Sequence, residues 1–146
     1  MVLDAKNRLV IPAKIRAAMD PKKDGEGFYV LIGTSNNLEL YTFTQFEEEA
    51  FQTEGTLLSS AELQDFYRIS YATASKVEWD RQGRVLIPDT AVQRAKLGKE
   101  VTLVGARDHL ELWNRPEWEK YVEARLTGVA ELRARARESV HKDLGK

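Results

Sequence analysis

Two arginines each follow an aspartate by four residues: Arg8 after Asp4, and Arg84 after Asp80. A guanidinium carries planar, forked N–H donors that fit a phosphate or the O6/N7 edge of guanine. Lys6 lies inside the first spacing and Arg81 inside the second, so each short stretch gathers positive charge. The aspartates allow two chemistries. At the head of a tight turn, a carboxylate accepts backbone N–H groups two residues on and shapes the turn. Brought together, Asp4 and Asp80 would instead be a candidate acid–base pair, which needs proximity, shifted pKa values and a pocket. The chain offers no Gly-rich phosphate loop, no cluster of metal ligands and no third catalytic partner to go with them. Each Arg could also fold back onto its own Asp, a surface pair usually worth under about 1 kcal/mol. Asn7 and Gly83 fill the same slot before the two arginines, and both residue types tolerate the positive φ that such a turn demands.

These residues sit in a ten-residue stretch that occurs twice. Leu3-Asp4-Ala5-Lys6-Asn7-Arg8-Leu9-Val10-Ile11-Pro12 matches Trp79-Asp80-Arg81-Gln82-Gly83-Arg84-Val85-Leu86-Ile87-Pro88 in its Asp, Arg, apolar run and Pro. Each copy reads as a strand entering a tight turn at the Asp and a second strand leaving through the Arg. The Pro then closes that strand and fits the first turn of a helix. A two-stranded ribbon of this kind fits the DNA major groove.

Composition narrows the field. A chain of 146 residues, 42% hydrophobic and 31% charged, can build one domain or two small halves sharing a core. Cysteine is absent, which removes disulfides and thiolate chemistry and fits a cytosolic address. No apolar run reaches membrane-spanning length, and no signal pattern opens the chain. The two histidines, His109 and His141, fall in different elements, so a His-based metal site or triad is not expected. Net charge is −1, but its distribution is uneven. Residues 1–23 carry six Lys or Arg against Asp4 and Asp20, and residues 76–99 carry six against Glu78, Asp80 and Asp89. Residues 39–66 hold only acids among their charges. Both basic blocks contain the repeated stretch.

The elements that must position these turns also repeat. A short helix is predicted over 13–19, a strand over 28–32, a turn at 33–37 and an alternating strand at Leu38-Glu39-Leu40-Tyr41. Thr44 and Glu47 form a capping box ahead of a helix over 45–53 that stops near Gly55. Ser59-Ser60-Ala61-Glu62 opens a second helix, whose apolar face carries Leu63, Phe66, Tyr67 and Ile69. Residues 72–79 turn β-like. After the second motif come a helix over 89–96 capped at Gly98, then Val101-Thr102-Leu103-Val104-Gly105, which matches Tyr29-Val30-Leu31-Ile32-Gly33. Leu110-Glu111-Leu112-Trp113 matches Leu38-Glu39-Leu40-Tyr41. Asn114 caps a further helix whose Trp118 takes the slot of Phe46. The offset is 76 residues at the turns and 72 at these last strands, so the first copy carries a four-residue insertion near 22–27. Two copies, unlike a stacked array, imply a pseudo-twofold domain. Residues 129–144 place Val129, Leu132, Ala136, Val140 and Leu144 on a narrow apolar seam, suited to packing within or between subunits.

The two motifs with their trailing apolar run and Pro, the paired strands and the capped helix together resemble the MraZ family of bacterial transcription regulators. That resemblance covers nearly the whole chain. It implies an α+β fold: a duplicated AbrB-like swapped-hairpin β-barrel with pseudo-twofold symmetry, flanking helices and a C-terminal helix. The repeats would span 1–70 and 71–128, with a helical tail at 129–146. With only Met1-Val2-Leu3 ahead of the first Asp, the opening strand of the first repeat is shortened, and Asn7 stands where the family usually has Gly. The resemblance further implies a ring homo-oligomer of eight or more subunits. Such a ring binds short direct repeats in promoter DNA and represses the division and cell-wall gene cluster, including its own gene. Lys6, Arg8, Arg81 and Arg84 would then contact double-stranded DNA, while Asp4, Asn7, Asp80 and Gly83 structure the loops. The expected place is cytoplasmic and nucleoid-associated, with no cofactor, metal, membrane or small-molecule substrate, and no enzymatic activity. Two alternatives stay open: an AbrB-type antitoxin, and an oligomeric scaffold that binds protein partners through the acidic 39–66 face.

Overall fold

A computed structural model describes residues 1–54 and 61–144. It divides into two compact units, Met1–Asn114 and Arg115–Lys146. In the first unit the order is β1 (Arg8–Val10), α1 (Ala13–Ala18), β2 (Gly27–Ile32), β3 (Leu38–Tyr41), α2 (Phe43–Glu54), α3 (Ala61–Ala72), β4 (Ser75–Glu78), β5 (Arg84–Leu86), α4 (Asp89–Arg94), β6 (Val101–Gly105) and β7 (Leu110–Asn114). The second unit holds α5 (Arg115–Leu126) and α6 (Val129–Leu144). The chain is therefore α+β with antiparallel sheets.

The copies exchange strands. β1 pairs antiparallel with β5 of the other copy, setting Leu9 across from Val85. β4, which leads into the second motif, pairs with β2 of the first copy. A five-stranded sheet runs in the order β4-β2-β3-β7-β6, and the copies meet again where Glu39 faces Glu111 across β3 and β7. Leu9 with Val85 and Glu39 with Glu111 are the pairs that the 76- and 72-residue offsets equate. An approximate twofold axis therefore passes through both junctions. The sheets do not close into a barrel: β1 and β5 form a separate two-stranded ribbon, and β4 and β6 remain edges of the larger sheet. The edges differ. β4 runs along four residues of β2, whereas beyond β7 the β6 end of the sheet receives a single Val2–Glu100 bridge. Leu3 N donates to Lys99 O at 2.9 Å, and Val101 N to Met1 O at 3.0 Å.

Alternation decides what is buried. In both ribbon strands the middle residue, Leu9 or Val85, is fully buried, and Ile11 and Ile87 follow it inward. Phe28, Val30, Leu38, Leu40, Val101 and Leu112 complete one apolar core. Burying a side chain of this size contributes roughly 1.5–3 kcal/mol, which is why the short three-residue strands persist. Outside β2, Tyr29 stacks on Phe46 at 4.1 Å, and Tyr71 meets Phe46 edge-on at 5.4 Å.

Several local expectations are corrected. The cap of α2 is Thr42, whose Oγ1 accepts from Gln45 N at 3.3 Å. Thr44 donates instead to the Lys23 carbonyl, and Glu47 accepts from Tyr29 Oη. Ser59, Ser60 and Gly55, expected to start and stop helices, lie outside the described residues. The left-handed residue after α4 is Lys96 (φ 53°), with Leu97 N closing onto Val92 O, and not Gly98. The Asn114 side chain accepts from Gly98 N at 3.0 Å, tying the end of β7 to that loop. On α3, Leu63, Phe66 and Ile69 are exposed, so of the expected apolar face only Tyr67 turns inward, joined by Tyr71.

Candidate nucleic-acid interface

Each motif folds into the same turn, bond for bond. In the first, Asn7 N donates to Asp4 O at 3.0 Å and Asp4 N to Arg8 O at 3.1 Å. The Asp4 Oδ1 accepts the amides of Lys6 and Arg8, both at 2.9 Å. In the second, Gly83 N donates to Asp80 O at 2.9 Å and Asp80 N to Arg84 O at 2.8 Å. The Asp80 Oδ1 accepts the amides of Gln82 at 2.9 Å and Arg84 at 3.0 Å. Asn7 and Gly83 take φ of 61° and 77°, the left-handed region that their side chains, or lack of one, tolerate.

The fold-back pairing considered for the arginines forms, and it leaves the other role open to them. Arg8 donates through Nε to Asp4 Oδ2 at 2.6 Å, and Arg84 through Nε to Asp80 Oδ2 at 2.8 Å. Among the described residues the two Nη groups of each arginine have no protein partner, so both guanidiniums are oriented by their aspartates yet retain a donor edge. Both pairs are about one-third exposed, so their worth lies in aim more than in stability. The amide of Arg8, then its guanidinium and the Lys6 amide, hold the Asp4 carboxyl below its ordinary value despite some desolvation. Asp80 is lowered in the same way by the Arg84 amide, the Arg84 side chain and the Gln82 amide.

The turns are locked to each other. Ile11 N donates to Gly83 O at 2.8 Å, and Ile87 N to Asn7 O at 2.9 Å, so each tip is held by the opposite copy's strand. Arg8 lies across from Leu86, and Val10 from Arg84. Strand geometry then sets the two arginine α-carbons roughly 8 Å apart, from about 3.3 Å per residue along a strand and about 5 Å between strands. All four side chains share the outer ribbon face, with Val10 51% and Leu86 59% exposed. Sequence patterning placed Val10 and Leu86 only in an apolar run; the register makes them the apolar centre between two arginines.

A third residue was missed altogether. Arg16 on α1 donates Nε to Ile11 O at 3.0 Å, and its guanidinium lies over Gly83, where a Cβ would come within 2.6 Å of Cζ. Its counterpart at the 76-residue offset is Val92, packed against the core. The second tip thus combines Arg81, Arg84 and Arg16. The first has Lys6 and Arg8, with Asn7 Nδ2 donating to Asp89 Oδ1 at 3.2 Å. Two basic blocks of similar charge in the sequence become unequal tips in space, because strand exchange carries Arg16 to the other copy's turn.

The fold and these tips define a duplicated α+β protein that presents two acid-clamped basic turns on one ribbon. The profile of the family described as "MraZ protein, putative antitoxin-like" matches residues 1–64 and 71–139. The chain belongs to the MraZ family. It is 35% identical over 130 residues to the transcriptional regulator MraZ of Cutibacterium acnes, covering 89% of this chain and 88% of that one. It is 35% identical over 119 residues to that of Lactiplantibacillus plantarum, covering 82% and 81%, and 32% over 119 residues to that of Desulforamulus reducens, covering 82% and 80%. The relatives' name denotes a regulator and not an enzyme class. No helix among the described residues is long and apolar enough to cross a membrane.

Proposed function

We propose that this chain is a sequence-specific DNA-binding transcriptional regulator whose ribbon enters the major groove. The observation that carries this is the pair of arginines, Arg8 and Arg84, each aimed by an aspartate through Nε alone on one exposed ribbon face. Their Nη groups suit phosphate or guanine, and Val10 and Leu86 between them suit a thymine methyl. Lys6, Arg81 and Arg16 add phosphate contacts around the tips. Asp4, Asn7, Asp80 and Gly83 give the loops their shape. A major groove about 12 Å wide accommodates the ribbon.

The exchange of β1 and β5 between copies supports an AbrB-like swapped-hairpin assignment, with repeats at 1–70 and 71–128 and a tail at 129–146. One chain of net −1 with two small tips binds weakly. A ring of eight or more copies on short direct repeats raises effective concentration, and avidity adds roughly two to four orders of magnitude. The regulator represses the division and cell-wall gene cluster, its own gene included, in the cytoplasm at the nucleoid. The names of the relatives support the regulatory role.

The test is binding to fluorescent DNA from the gene's own upstream region against scrambled DNA, over a salt series, with Arg8→Ala and Arg84→Ala beside wild type. Preference for the upstream DNA, a steep salt slope and loss in both variants are expected. Equal, negligible binding to both DNAs by an intact oligomer would overturn the reading and favour a scaffold.

A further inference from the structure

The second junction of the two copies gathers a donor set unrelated to the ribbon. Glu39 and Glu111 face each other across β3 and β7, and like charges directly opposite destabilise a sheet. His109, in the turn between β6 and β7, lies over this pair and stacks on Tyr41 at 4.9 Å. Its Nε2 lies 3.2 Å from Glu111 Oε2 and 3.9 Å from Glu39 Oε2. One ligand atom from each of the three residues falls within 4.8 Å of the others.

The surroundings orient all three. His109 Nδ1 sits 2.8 Å from Asp108 Oδ1, the contact that fixes an imidazole tautomer with Nε2 as the ligating nitrogen. Trp113 Nε1 donates to Glu111 Oε1 at 2.9 Å, and Tyr41 Oη to Glu39 Oε1 at 3.4 Å. Tyr41 and Trp113 are themselves equivalent positions at the 72-residue offset. In each carboxylate one oxygen is therefore held from outside while the other faces Nε2. The side chains are 14% (His109), 23% (Glu39) and 20% (Glu111) exposed, so the three donors sit below the surface yet within reach of solvent.

With Nδ1–H given to Asp108, the Nε2 lone pair would point at two carboxylate oxygens, an arrangement that requires a positive centre between them. A proton on Nε2 serves Glu111 well at 3.2 Å and Glu39 poorly at 3.9 Å. A tetrahedral ion with donors at about 2.0–2.1 Å needs them about 3.3 Å apart, which the 3.2 Å His109–Glu111 spacing meets and the 3.9 Å His109–Glu39 spacing meets once Glu39 draws in. We propose that Glu39, His109 and Glu111 bind a first-row divalent cation of the zinc class, with Asp108, Tyr41 and Trp113 as its supporting shell. One imidazole with two carboxylates matches zinc-type donor chemistry. The ion would bridge the two repeats where their equivalent strands meet.

The sequence pattern, with His109 and His141 in different elements, implies no metal site. One histidine suffices because strand pairing brings in two glutamates 72 residues apart. His109 stands where the first copy has Asn37 at the 72-residue offset, so His109→Asn keeps a polar, hydrogen-bonding side chain and serves as the conservative variant.

Full-length protein stripped with chelator is titrated with zinc chloride alone, by calorimetry and by its thermal midpoint. Wild type is expected to bind one zinc per chain and to gain thermal stability. His109→Asn and Glu111→Gln are expected to lose at least tenfold in affinity and the thermal shift, while His141→Asn behaves as wild type. Cobalt substitution is expected to give the intense visible bands of a tetrahedral site in wild type and His141→Asn only. Absence of zinc binding in wild type, or equal binding by His109→Asn, would overturn the proposal, and neither result bears on DNA affinity.

Discussion

The Arg16 guanidinium lies flat against Gly83, a residue of the other repeat's turn. The contact explains why the two turns, alike in every backbone bond, differ at the left-handed position, Asn7 in one and Gly83 in the other. Asn7 has room for a side chain because the other copy, whose α4 serves its turn, has Val92 where Arg16 would be, and that side chain reaches Asp89.

Gly83→Ala therefore meets two penalties. Its φ of 77° strains an L-residue, and its Cβ would displace Arg16. We expect a loss of about 1–2 kcal/mol in urea unfolding. In Arg16→Ala/Gly83→Ala the loss should fall below the sum of the single changes, since removing Arg16 relieves the collision. Additive effects would mean that strain in φ accounts for the whole cost.

Arg16→Ala should leave the fold intact and weaken DNA binding at the second tip. Its signature is a salt slope reduced by about one phosphate contact, with sequence preference unchanged. An unaltered slope would confine Arg16 to bracing Ile11 and Gly83.

Asp80→Ala makes the second tip more positive by one charge, so simple electrostatics predicts tighter DNA binding. The turn predicts the reverse. Without Oδ1 the amides of Gln82 and Arg84 lose their acceptor, and without Oδ2 the Arg84 fork loses its aim. We expect weaker binding, roughly tenfold, and the same sign for Asp4→Ala. Tighter binding in either variant would show that charge outweighs geometry.

Acid should act on both turns late. Asp4 and Asp80 are held below their ordinary value of 3.8, first of all by the amides of Arg8 and Arg84. A lowered folded value means that the stabilisation is fully present above the unfolded value and is lost as pH falls through the folded one. The amide resonances of Arg8 and Arg84 should therefore move with acid along a titration whose midpoint lies below 3.8. Movement centred at or above 3.8 would contradict the clamp.

Much of this architecture is legible in the chain. The recurring Asp, Arg and Pro, with offsets of 76 and 72, give the duplication, and alternation gives the strands almost to the residue. Errors arose where a local rule had rival candidates. Thr42 and Thr44 both suit a helix start, and the Lys23 carbonyl claimed Thr44. Lys96 took the left-handed position although Gly98 was the better local choice, because Leu97 had to reach the core. Arg16 and the Glu39–His109–Glu111 group were invisible for a different reason. Each is assembled by strands from opposite copies, and spacing along the chain carries no trace of which copy a strand joins.

The exchanged ribbon has a consequence for synthesis. β1 emerges from the ribosome early but finds its partner only when β5, about 76 residues later, has been made. Closing so long a loop has a large entropic cost that must be met before the contact stabilises anything. A nascent chain that stops before Arg84 therefore carries one arginine tip without its ribbon, and a broken message yields fragments that lack the paired tips on which the proposed grip rests. Completion of translation is itself the step that assembles them.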